Sequence, residues 1–226
     1  MATSAQDRPE SLLVLVGITA TGRSRYRVAR FFKQHGTYTV WVPAIPYWRG
    51  LRSCTRWLER FLAQTVRLQE GEPIHVLAYI AGGALLRGLA AADRLPPLAR
   101  VLWVRGPVQE RVAAKVVARY GRLLGWLLGG RSMLDLADGW PRSLPFPHSA
   151  GEQGLMIEEG VSWLARRLGL GPDDVPPEGW DPAQLLPGAH AVRRAPESHD
   201  AVYSSPALLA SALHFFQHGR FAARQR

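Results

Sequence analysis

Cysteine and lysine are almost missing: Cys54 is the only thiol, and Lys33 and Lys115 are the only lysines in 226 residues. One thiol excludes an internal disulfide and gives no framework for a structural metal, so neither a metal site nor a cofactor is expected. No apolar run reaches the roughly 18 residues of a spanning helix, because Arg, Gly or Pro interrupts each candidate. The opening residues, MATSAQDRPE, have neither the charged nor the apolar region of a secretory leader. A reducing, cytoplasmic location is the expectation, with peripheral contact to a membrane left open. No sequence period suggests a repeat protein.

What is present is apolar material and arginine. A hydrophobic fraction of 47% and a mean hydropathy of -0.09 describe a globular chain with enough material for one core, residues 1–226 as a single domain. The net charge is +10 and the pI about 10.7. The arginines are scattered, and neither a recognition helix nor an aromatic–basic alternation accompanies them, so nucleic acid is set aside as a partner. The charge reads as compositional bias or as a surface for an anionic membrane or an acidic protein.

Along the chain, short β-branched runs alternate with helical stretches. Residues 11–17, 38–43, 74–80 and 100–105 read as strands, and 154–159 as a further one. Residues 24–35, 53–69 and 83–93 read as helices between them. Val28, Phe31, Phe32 and His35 share a face of the first, and Gly36 stands where a C-cap glycine belongs. Strands alternating with helices of this length predict βαβ units: an α/β fold with a mostly parallel central sheet flanked by helices. Residues 108–150 break the alternation and read as a cap-like helical segment and loop, interrupted by glycines at 121, 125, 129 and 130. Residues 171–188, rich in Pro, Asp and Gly, read as an excursion at the end of the sheet. A terminal helix is marked by Ser205 as N-cap, Pro206 at its first position and Gly219 beyond it.

The informative stretch is His75-Val-Leu-Ala-Tyr-Ile-Ala-Gly-Gly-Ala84, a strand turning into a helix. It is similar to the nucleophile elbow of α/β hydrolases, G-x-S-x-G, laid over Ala78-Tyr79-Ile80-Ala81-Gly82. The small flanking residues are kept, and isoleucine stands at the nucleophile position. Val14-Leu-Val-Gly17 resembles the strand and oxyanion loop of the lipase/esterase branch, with Val16 where that branch has histidine. Val42-Pro-Ala-Ile-Pro46, Arg105-Gly-Pro107 and Arg131-Ser-Met-Leu-Asp-Leu136 resemble further segments of such lipases. Leu186-Pro-Gly188, Ser198-His-Asp200 and the final helix resemble their closing unit.

The resemblance implies that His199 stands at the general-base position and Asp173 or Asp174 at that of the acid orienting it. It also implies that Gly17 and Ala81 carry the backbone donors of an oxyanion hole. Ile80 has no lone pair to attack a carbonyl and no proton for a base to remove, so the covalent route is closed. A triad enzyme stripped of one member keeps roughly 10³–10⁴ of acceleration over water, too little for a biological hydrolase. Because a β-branched residue strains an elbow, either the turn has relaxed or Ile80 fills the former substrate slot.

The expected function is therefore that of a catalytically inactive relative acting as a binding or scaffolding subunit. Leu124, Trp126, Leu128, Arg119 and Arg122 of the cap-like segment are the expected interaction surface, for a protein partner or complex or an anionic membrane. The alternative is an active esterase, lipase or thioesterase using another nucleophile or a water activated by His199. His35, His75 and Cys54 read as structural residues.

Overall fold

A computed structural model describes residues 9–66, 71–105, 110–147, 150–161, 166–169, 186, 188–198 and 201–222. Among these residues six strands form one sheet in the order β2-β1-β3-β4-β5-β6, every pair parallel. They are β1 Glu10–Leu15, β2 Tyr38–Trp41, β3 Ile74–Tyr79, β4 Leu98–Val104, β5 Ala150–Gly160 and β6 Ala191–Ser198. The helices are α1 Gly22–His35, α2 Leu51–Phe61, α3 Ile80–Ala91, α4 Glu110–Ala137 and α5 Pro206–His218. The α/β class with a parallel sheet flanked by helices is thus the observed one.

Both faces of the sheet are covered, which is why its central strands are largely apolar rather than alternating. Leu12, Val14, Leu77, Tyr79 and Val104 point towards α1 and α5, where Phe32, Phe215 and Phe216 complete one core layer. Leu13, Leu15, Ala78 and Trp103 point the other way, against Leu51, Cys54 and Leu58 of α2 and Leu85 and Leu89 of α3. The chain steps from β1 outward to β2 and then back across β1 to β3. That reversal creates a crevice at the C-terminal strand ends, where ligands of parallel sheets bind.

Several local expectations need correction. Helix α1 begins at Gly22, capped by the Thr21 hydroxyl, which accepts from the Ser24 N–H. Only Val28 and Phe32 of its expected apolar face are buried, and His35 is exposed. Gly36 is not left-handed (φ -127°); a Cβ there would lie 2.6 Å from the Tyr38 ring, so crowding explains the glycine. Helix α2 ends at Phe61 and passes into a π-turn over Leu62–Val66. Strand β6 has no counterpart in the sequence reading. Its residues, Ala-Val-Arg-Arg-Ala-Pro-Glu-Ser, carry charge and proline, which a strand tolerates at a sheet edge.

The cap-like stretch is one path of three helical pieces. Gly121 (φ +84°) separates the first two, and Gly129 with Gly130 (φ +64°) separates the last. Gly125 does not break the helix. It is buried, and a Cβ would lie 2.8 Å from Val117. Among the described residues no helix is long and apolar enough to cross a membrane.

Candidate functional site

Strand β3 runs into α3 with no connecting residue: Tyr79 ends the strand and Ile80 opens the helix. Ile80 has φ +24°, a backbone region that β-branched residues avoid. The turn has therefore not relaxed, contrary to one of the two expectations for it. Gly82 explains why. A Cβ at Gly82 would stand 2.3 Å from the Leu15 carbonyl oxygen, so the first turn of α3 lies directly on the end of β1. Gly83 lets the same turn approach Trp103, whose indole donates to Gln153 Oε1 at 3.0 Å. The turn is closely packed on both neighbouring strands, and its apex is a half-buried isoleucine.

The backbone donors implied for an oxyanion hole have different fates. Ala81 is buried at the start of α3. The Gly17 N–H donates to the Tyr203 hydroxyl at 2.9 Å, so this donor already has a partner within the chain. The ring of Tyr203 lies 4.6 Å from that of Tyr79, centroid to centroid. One residue earlier, the Val16 carbonyl accepts from the Tyr47 hydroxyl at 2.5 Å. Burial holds the Tyr47 and Tyr79 phenols well above their ordinary values, so both stay protonated. Three tyrosines thus surround the end of β1. The roles of Tyr47 and Tyr203 were not found by sequence reasoning, because their partners are distant in the chain and no spacing encodes them.

His199, Asp173 and Asp174, the base and acid positions, lie outside the described residues. A carboxylate that sequence reasoning missed is Glu158, fully buried near the end of β5. Its side chain lies 3.7 Å from that of Arg105, which follows β4 at φ +51°, and Arg105 also donates to the Glu158 carbonyl at 3.3 Å. The adjacent cation offsets part of the cost of burying this carboxylate, although the facing Nε and Oε2 atoms stand beyond hydrogen-bond distance. Cys54 offers no substitute nucleophile. Burial pushes its thiol up to about 11, and its Sγ donates to the Pro46 carbonyl. Among the described residues no group of three or more His, Cys, Asp and Glu could hold a metal ion.

The cap is seated by specific contacts. The Leu51 N–H, at the start of α2, donates to Asp135 Oδ2 at 2.7 Å, and Arg131 pairs with the other oxygen of that carboxylate. A Cβ at Gly130 would stand 2.4 Å from the Trp48 Cα, so the glycine lets the cap rest on the β2–α2 loop. A cavity of about 360 Å³ remains between the cap, the β1–α1 loop and the β2–α2 loop, and Ile80 does not line it. On the outside, Leu123 and Leu127 are 73% and 64% exposed, and Trp126 is also exposed. Leu124 and Leu128, the leucines expected at the surface, are half-buried, with Leu128 packed against Val116. The break at Gly121 shifts the helical phase and turns the other pair outward. Arg122 forks onto Asp138 with contacts of 2.8 and 3.1 Å, and Arg119 donates to the Gly169 carbonyl.

No protein-family model and no curated protein sequence matches the chain. Solved structures do. An α/β-hydrolase enzyme from the metagenome of lagoon sediments at Mar Chica, Morocco, aligns at TM-score 0.57 and 16% identity, over 93% of this chain and 92% of that one. The mature lipase BlEst2 of Bacillus licheniformis aligns at TM-score 0.58 and 11% identity, over 85% and 84%. A structure from work on carboxylesterases of Nitrososphaera gargenis aligns at TM-score 0.55 and 12% identity, over 93% and 90%. At such identities the likeness establishes the fold, which is that of the α/β hydrolases.

Proposed function

We propose that this chain is a non-hydrolytic binding protein on the α/β-hydrolase fold, whose cap presents an interaction face to a protein partner or an anionic membrane. Ile80 carries the reading: it occupies the apex of a fully packed elbow, at φ +24°. A hydrocarbon side chain there can neither attack an acyl carbon nor accept activation by a base. The engagement of the Gly17 N–H by Tyr203 supports the same reading, because an oxyanion donor works only when aimed at the reacting oxygen. The exposed Leu123, Trp126 and Leu127 give the cap an apolar outer face, with arginines at its rim.

The wild-type chain is expected to show no turnover of p-nitrophenyl esters and no fluorophosphonate adduct. Robust turnover abolished by His199→Ala would replace this reading with that of a working esterase. For the interaction face, flotation with anionic vesicles and co-purification are compared between the wild type and the folded Leu123→Asp/Leu127→Asp variant. Undiminished association of the variant would place the interface elsewhere.

A further inference from the structure

The cavity under the cap has a chemistry of its own. Ile18, Ile45 and Leu128 give it apolar walls, the exposed Leu127 and Trp48 stand at its rim, and Arg25 is the one charged lining residue among those described. Among the described residues no carboxylate lines it, and the adjoining first turn of α1 contains no acidic residue. Its position at the ends of β1 and β2 is the crevice side of the sheet. Its volume of about 360 Å³ lies at the lower end of the range for small-ligand pockets, about 300–1,000 Å³. The walls are held in place. Gly129 lets the cap close on Ile18, where a Cβ would stand 3.0 Å from its side chain, and Asp135 ties the cap to α2.

We infer that this cavity binds an amphipathic carboxylate, with its carboxyl on Arg25 and its apolar body against Ile18, Ile45 and Leu128. A planar guanidinium offers a carboxylate two parallel donors, which a neutral head group cannot use. An apolar body gains from leaving water against these three aliphatic walls. A cationic ligand would meet Arg25 with no carboxylate in the lining to offset it. The inference rests on the non-hydrolytic reading only in that the ligand is held rather than turned over.

Isothermal titration with decanoate, below its micellar range, tests it on the full chain. The wild type is expected to saturate at one site. Arg25→Gln is expected to weaken binding at least about tenfold, since charge-assisted bonds are about twice as strong as neutral ones. Ala44→Trp, which fills the cavity from an exposed lining position, is expected to abolish binding. Absence of saturable binding, binding at many sites, or unchanged affinity in either variant would overturn the inference. Hydrolysis of p-nitrophenyl decanoate by the same samples bears on the non-hydrolytic reading alone, so the two can fail separately.

Discussion

The backbone N–H of Gly17 donates to the hydroxyl of Tyr203 across 186 positions of sequence, at 2.9 Å. Gly17 leaves the end of β1 beside the elbow, and Tyr203 belongs to the segment just before α5. The contact joins the first and last parts of the fold beside the strand-to-helix turn at Ile80. It gives the phenol a structural role and engages the Gly17 N–H within the chain.

This contact predicts the outcome of restoring a nucleophile. Ile80→Ser alone is expected to react with fluorophosphonate no faster than an ordinary surface serine. Adding Tyr203→Phe frees the Gly17 N–H and is expected to raise the labelling rate about a hundredfold, the low end of what one oxyanion donor contributes. Equal rates in the single and double variants would show that Gly17 does not serve the elbow.

The strain at Ile80 is also measurable. A side chain held at unfavourable positive φ costs about 1–3 kcal/mol, and asparagine tolerates that region better than a β-branched residue. Ile80→Asn is expected to raise unfolding free energy by about 1 kcal/mol, with Ile80→Val near neutral, in urea denaturation. A loss of stability in the asparagine variant would mean that the apolar contacts of Ile80 outweigh the strain.

Gly82→Ala should act in the opposite direction. Its Cβ would meet backbone, the Leu15 carbonyl at 2.3 Å, and β1 is a central strand that cannot retreat. A loss of about 3 kcal/mol is expected, at the upper end for overpacking. A melting temperature within a degree or two of wild type would show that α3 is not seated on β1 as described.

His75 predicts a pH dependence of folding. It is buried beside Tyr38 and Phe216, with Nε2 3.2 Å from Glu10 Oε2. Burial lowers its pKa below the ordinary 6.5; the carboxylate of Glu10 opposes the shift and the more distant Arg100 adds to it. The unfolded chain then binds the proton more readily than the folded one. The stabilisation from keeping His75 neutral is full above pH 6.5 and is lost as pH falls through that value towards the depressed folded-state pKa. His75→Phe is expected to flatten that part of the stability profile. An unaltered profile would assign the acid sensitivity to other groups.

Much of the fold could be read from the sequence because its causes are local. Apolar runs of strand length, helical periods between them, and the Ser205, Pro206 and Gly219 signals around α5 each act within a few residues. The strand-to-helix turn was legible for a similar reason: Gly82 and Gly83 mark a backbone that must pass close to its neighbours. Strand β6 was not legible, because Arg193, Arg194 and Pro196 are acceptable only at an edge, and being an edge is a property of the whole sheet. The outward turn of Leu123 and Leu127 depends on the φ of +84° at Gly121, which resets the helical phase that a periodicity argument assumes constant. The partners Tyr203 and Gly17, Tyr47 and Val16, and Arg105 and Glu158 were decided by tertiary structure alone. Contacts between residues far apart in the chain follow from how the strands are ordered, and that order leaves no local period to read.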